Sequence, residues 1–217
     1  MTPVGAPFIV FEGPEGAGKS SLIARLSRVL DEGGLPHITT REPGGTPLAE
    51  AIREILLDRP DLELDGMTEL LLFSAARHAH VEDVIGPALE SGRLVLCDRF
   101  ELTTRAYQGF GRGVPPASID AVTAEATGGL LPDLYLVLDV PASLGRNRQR
   151  GPDFFPDRIE REQSAFMDRV RRGYHELVAA DPGRCVLVDA AASPDEVERR
   201  ARDVLHDRLP AWFPART

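Results

Sequence analysis

From Gly13 to Ser20 the chain reads Gly-Pro-Glu-Gly-Ala-Gly-Lys-Ser, which satisfies the spacing G-x-x-x-x-G-K-[ST]. Gly13, Gly16 and Gly18 can take backbone angles closed to other residues, so successive N–H groups can turn inward onto phosphate oxygens. A helix starting here adds its unpaired N–H groups and the positive end of its dipole. Lys19 would reach the β- and γ-phosphates, and the Ser20 hydroxyl would ligate Mg²⁺. Gly13, Pro14, Glu15, Gly16, Ala17, Gly18, Lys19, Ser20 and Ser21 are therefore the expected triphosphate cradle.

The flanking residues supply the elements such a loop needs. Phe8-Ile-Val-Phe11 is an apolar run of strand length. After the loop, Leu22, Ile23, Leu26, Val29 and Leu30 recur at helical spacing, and Gly33-Gly34 ends the helix. A strand feeding this loop, and the loop feeding a helix, read as a nucleoside-triphosphate site rather than as a turn with incidental glycines.

Further along, Pro36–Thr40 reads as a strand delivering the turn Arg41-Glu-Pro-Gly-Gly-Thr46. Leu48, Ile52, Ile55 and Leu56 mark a helix carrying Arg53 on another face, and 58–66 is loop-like. Helical spacing resumes from Thr68 to about Leu89, with Pro87 expected to break it. Leu94–Cys97 is a buried strand ending in Asp98-Arg99. The stretch 102–108 leads to an expected glycine-rich turn at 109–113, and a helix begins near Ser118. Leu134–Leu138 is another strand, followed by a helix from about Ser143. Arginines at 146, 148, 150 and 158 flank Gly-Pro-Asp-Phe-Phe-Pro. Ile159–Ala180 is helical, and Cys185–Val188 is a last strand. The closing helix has Ser193 as N-cap, Pro194 in its first turn and Glu196 three residues on. The tail from Ala211 shows no structural signal. Strands alternating with helices predict a three-layer α/β/α domain, a parallel sheet covered on both faces, spanning 1–217. Ligands then gather at the carboxyl ends of the strands.

Composition is that of an ordinary globule, and 217 residues suffice for one domain with a sizeable core. A formal net charge of −9 argues against a general nucleic-acid binder, which needs a basic face. Cys97 and Cys185 lie in apolar runs and are expected to be buried free thiols rather than a disulfide or metal pair. The N-terminus lacks the features of a signal peptide, and no apolar run approaches membrane-spanning length. A cytoplasmic location and no membrane partner are expected. His78 and His80, two apart on a helix, point to different faces and read as surface histidines rather than metal ligands.

The loop alone leaves several reaction classes open. A regulatory GTPase would need Asn-Lys-x-Asp, whereas the single asparagine, Asn147, is followed by Arg-Gln-Arg. Motor and transport ATPases bring more chain. A small-molecule kinase fits better. Arg41, Arg53 and Arg99 would line a second anionic pocket, and 146–158 would form a mobile cationic cover. If the acceptor is itself a phosphate, no general base is needed, because its second pKa of about 6 leaves it mostly a dianion. Catalysis then reduces to alignment and charge neutralisation.

At this point several motifs, in order, resemble the bacterial thymidylate (dTMP) kinase family. They are 11–20, Thr-Arg-Glu-Pro-Gly-Gly-Thr (40–46), Leu-Leu-Phe-Ser-Ala-Ala-Arg (71–77), Cys-Asp-Arg-Phe (97–100), Ala-Tyr-Gln-Gly (106–109), Gly-Arg-Gly (111–113) and Asp-Arg-Ile-Glu (157–160). The resemblance implies a P-loop NTPase fold with a short arginine-rich lid, ATP and dTMP as substrates, Mg²⁺ and a homodimer. It implies that Phe73 stacks on thymine, that Arg77 donates to O4, and that Thr104 and Gln108 contact the base edge. Tyr107 would lie beneath the sugar, Arg53 and Arg99 would clamp the acceptor phosphate, and Glu15 would sit near the acceptor sugar. Asp98 resembles a Walker-B acid that holds Mg²⁺ through water. Two departures stand out. Where some members carry an arginine in the loop, this chain has Gly16, so its lid is expected to supply the charge, with Arg148 and Arg150 catalytic and Arg146 on adenine. The lid also looks longer, with two phenylalanines. A paralogue acting on another mononucleotide, or a P-loop ATPase or switch, remains the alternative.

Overall fold

The computed structural model describes residues 5–59, 61–150 and 158–214, and the side chains of these except 146, 149, 150 and 158–163. Five parallel strands run in the order β2-β3-β1-β4-β5: β1 Phe8–Glu12, β2 His37–Arg41, β3 Leu94–Asp98, β4 Leu134–Asp139 and β5 Cys185–Asp189. The three inner strands are nearly continuous apolar runs, as burial on both faces requires. β2, at one edge, is His-Ile-Thr-Thr-Arg. The register pairs Asp98 with both Phe11 and Arg41, so β1, β2 and β3 end on one rim.

One face packs Ile9, Phe11, Leu96 and Leu136 against α1 (Lys19–Glu32) and α9 (Pro194–Arg208). The other packs Phe8, Val10, Cys97 and Val137 against helices that include α4 (Gly86–Glu90), α5 (Glu101–Thr104) and α8 (Arg158–Ala180), while α3 (Gly66–His80) packs beyond them, through Ala76 and Leu70. Outside these lie α2 (Pro47–Leu57), α6 (Pro116–Thr127) and α7 (Ala142–Arg150). The three-layer expectation holds. Both cysteines are buried and free. Among the described residues no helix is long and apolar enough to cross a membrane.

Three expectations are corrected. Pro87 does not break the helix: a π-helical turn, Val81–Ile85, precedes it, and Gly86 N bonds back to Val81 O. Pro87 then falls in the first turn of α4, where its missing N–H costs nothing. The glycines at 109 and 111 do not open a turn either, because α5 runs on as a π-helix, Arg105–Gly111. A Cβ at Gly111 would meet the Phe166 ring at 2.6 Å, so that glycine marks the close approach of α8. The C-terminal tail also packs: Trp212 and Phe213 are buried on α1 and α9, and the Phe213 carbonyl meets His206 Nδ1 at 2.9 Å.

Candidate active site

Burial of β1 and the start of α1 fixes the two ends of the glycine-rich loop, and Gly13, Gly16 and Gly18 all take positive φ between them. A Cβ at Gly13 would meet Leu138 O at 2.2 Å, and one at Gly16 would meet Gly145 O at 2.2 Å. Gly16 thus seats the first turn of α7, and an arginine there has no room. Lys19 is buried and donates to Gly13 O and Pro14 O, each at 3.1 Å. Burial, with Arg99 close by, lowers its pKa to about 7. Ser20 Oγ donates to Asp98 Oδ2 at 2.7 Å.

One cleft of about 570 Å³ is lined by the loop from Glu15 to Ser21, by Asp98, Arg99 and Arg53, and by Arg148, Ala192 and Pro194. Arg99 has φ 75, the one positive value outside glycine among the described residues. Such backbone is costly for a side-chain-bearing residue and tends to persist at functional positions. Its Nη1 donates to Gly13 O at 3.2 Å and Thr103 Oγ1 at 3.1 Å, and its guanidinium lies 5.4 Å from the Tyr107 ring centre. Arg53 donates to Pro43 O at 2.9 Å. Arg148, one turn beyond Gly145, donates to Ala192 O at 3.2 Å.

Beside this cleft, Glu69, Phe73 and Arg77 fall four residues apart on α3 and share one face. Hydrogen bonds at both ends tie that face to the α5 region. Arg77 Nη2 donates to Thr104 Oγ1 at 3.1 Å, and Gln108 Nε2 donates to Glu69 Oε2 at 2.9 Å. Phe73 sits between these rungs, half-buried and in none of the apolar clusters. Arg77 is 1% exposed; its Nε donates to Glu42 Oε2 at 2.8 Å, and Glu42 Oε1 meets His80 Nδ1 at 3.2 Å. Arg77 Nη1 and Gln108 Oε1 are buried without a hydrogen-bond partner.

The family model of thymidylate kinase matches residues 11–201. The chain belongs to the thymidylate kinase family. It is 46% identical over 209 residues to the thymidylate kinase of Trichlorobacter lovleyi, covering 93% of this chain and 98% of the relative. It is 46% identical over 193 residues to that of Deinococcus radiodurans, covering 88% and 92%. The crystal structure of thymidylate kinase from Ehrlichia chaffeensis superposes with a TM-score of 0.77 at 31% identity, covering 93% of this chain and 99% of that one.

With the chain in the thymidylate kinase family, the residues expected of the site sort as follows. The loop, Asp98, Arg99, Arg53 and Arg148 share one cleft, and Arg77, Thr104 and Gln108 meet where the Phe73 face of α3 is tied to the α5 region. Arg41 does not line that cleft itself: it bonds Glu50 and Pro43 O and lines, with Thr39 and Thr40, a depression that shares Ser20 and Asp98 with the cleft. The side chains of Arg146 and Arg150, and the two lid phenylalanines, lie outside the described residues. His80, expected at the surface, is fully buried between Glu42 and Thr40, whose Oγ1 lies 2.7 Å from its Nε2.

Sequence reasoning missed Glu12. It is fully buried and accepts from Phe100 N at 2.9 Å, Thr103 N at 3.1 Å and Tyr174 OH at 2.9 Å, besides the Thr103 hydroxyl. Burial raises its pKa, against the lowering effect of these hydrogen bonds and of Arg99. Through Thr103 and Tyr174 it holds the groups that Arg99 rests on. The available signal was an acid closing an apolar strand directly before Gly13.

Proposed function

We propose that this chain transfers the γ-phosphoryl group of ATP to dTMP, giving ADP and dTDP, a step towards dTTP. The observation that carries this is the single cleft shared by the glycine-rich loop and by Arg53 and Arg99. A donor triphosphate and an acceptor phosphate need such cations between them. The acceptor is a dianion near neutral pH and attacks without a base, so the residues have only to align and neutralise. Lys19 holds the β- and γ-oxygens, Arg53 and Arg99 hold the acceptor phosphate, and Arg148, with Arg150, covers the transferring group. Arg146 stacks on adenine, Glu15 lies by the acceptor sugar, and Tyr107 lies beneath it. Phe73 takes the base, and Arg77 donates to its O4.

Mg²⁺ accompanies the nucleotide in this reading, and the residues fit it. The Ser20 hydroxyl donates its hydrogen bond to Asp98, leaving a lone pair for the ion. Among the described residues no cluster of three or more His, Cys, Asp or Glu forms a cage of its own. One hydroxyl, with Asp98 acting through water, suits an ion that keeps waters and phosphate oxygens as ligands. When bound it offsets charge on the β- and γ-phosphates. The chain is further read as one cytoplasmic domain acting as a homodimer. Exposed Leu48 and Leu57 on α2, with Met67 and Leu71 on α3, are apolar side chains such a contact would cover.

The test is ADP release measured across a panel of nucleoside monophosphates. Turnover with dTMP far above the others is expected. Good turnover with a different monophosphate would refute the substrate, and sustained ATP turnover without any acceptor would refute the kinase reading.

A further inference from the structure

Gln108 has two ends with opposite hydrogen-bonding character, and the structure fixes which of them is spent. Its side chain, 3% exposed, lies 2.9 Å from Glu69 Oε2. Glu69 is in turn paired with Arg112, whose Nη2 is 2.9 Å from Oε1 and whose Nε is 3.2 Å from Oε2. A carboxylate held by a guanidinium is an acceptor only, so the amide must turn its NH₂ towards it. The orientation of Gln108 thus follows from the chemistry of its neighbour. Its oxygen is the end left buried without a partner, as is Arg77 Nη1.

We propose that Glu69, acting through Gln108, is the positioning residue that selects between pyrimidines. This rests on the reading above that the base lies against Phe73. Thymine and uracil carry an N3–H donor beside the O4 acceptor, groups that the unpartnered amide oxygen of Gln108 and the unpartnered N–H of Arg77 can answer. Cytosine inverts both, with a bare N3 and an amino group at C4. A free amide could rotate to suit either base. One tied to an ionised carboxylate cannot, and leaves cytosine facing unmatched groups, which is how hydrogen-bonding pockets reject near-isosteres.

The experiment compares kcat/KM for dTMP, dUMP and dCMP in the unmodified chain and in Glu69→Gln. A glutamine at 69 can donate or accept, so Gln108 is released to flip. The dTMP-to-dCMP ratio should fall about tenfold, in the range carried by one reader of a base edge. The dTMP-to-dUMP ratio should stay put, because those two present the same edge to Gln108. A merely structural role for Glu69 would lower all three together and leave both ratios unchanged; that result overturns the proposal. Should Glu69→Gln fail to fold, Arg112→Met, at a half-exposed position, reads the same ratios with a smaller expected shift. An unmodified chain with no dTMP turnover would sink the parent reading, and this proposal with it. Good dTMP turnover with an unmoved dCMP ratio would sink the proposal alone.

Discussion

Glu42→Gln tests the fold and the site together. Arg77 and Glu42 have side chains 1% and 4% exposed and meet at 2.8 Å. Glutamine keeps the volume and an oxygen for Arg77 Nε, but leaves a buried guanidinium without its counter-charge. Breaking one side of a buried pair costs about 3–5 kcal/mol. Retention of one hydrogen bond puts Glu42→Gln at the low end, about 3 kcal/mol. For a chain of this length each kcal/mol moves Tm by about 2–4 °C, so a fall of about 6–12 °C is expected by scanning calorimetry. Glu82→Gln, on an exposed position of the π-helical turn, should leave Tm within about 2 °C. The KM for dTMP should rise more than kcat falls, because the proposed function puts Arg77 at the base and not at the transferring phosphate. A Tm change below about 2 °C with unchanged KM would show that the guanidinium does not depend on this carboxylate. The account of the base pocket would then be wrong.

Arg148→Ala should lower kcat on the order of 10²-fold with little change in the KM for dTMP, as removal of transition-state charge does; Arg150→Ala measured beside it separates the two arginines. Gly16→Ala should lower both Tm and kcat, because φ is +76 and the new Cβ would meet Gly145 O at 2.2 Å; thermal melts and steady-state rates check this. Asp139 is bound by Arg171 Nε and Nη2, each at 2.7 Å, and by His175 Nε2 at 3.0 Å. Despite partial burial these partners lower its pKa from 3.8. A depressed acid stabilises the fold above its unfolded pKa and loses that contribution as pH falls through the folded value. Asp139→Asn should therefore cost about 1–2 kcal/mol in urea unfolding at pH 7, and the gap to the unmodified chain should close as pH drops below 3.8.

What the sequence made legible was what repeats or is spaced by rule. The strand runs, the helical periodicity, the loop and the Ser193 cap were all readable. The losses share a cause: they depend on what a residue meets from another element. The spacing of His78 and His80 correctly puts them on different faces, but nothing local says that one face is closed over by Glu42 and Thr40. Gly109 and Gly111 have turn chemistry in isolation; only the ring of Phe166 explains why one of them must lack a side chain within a helix. Pro87 is a helix breaker except where a π-turn has already rerouted the preceding N–H. Phe73 is one more apolar residue in the helical run from Thr68, and its place between two hydrogen-bonded rungs becomes visible only once α3 faces the α5 region.

The residues sequence reading undervalued are mostly acids, and under the proposed function their placement accounts for how a chain of net charge −9 would grip two anions. Each carboxylate stands one step behind a group to which the proposed function gives a ligand contact. Glu12 braces Thr103 and Tyr174 beneath Arg99, Glu42 pairs with Arg77, and Glu69 pins Gln108. They come from the end of β1, the turn after β2 and the first turn of α3, so no sequence window contains two of them. Removing a cation at the rim should weaken binding directly. Removing an acid behind it should leave the cation in place with the wrong orientation or charge balance, and that difference shows in selectivity and stability before it shows in turnover.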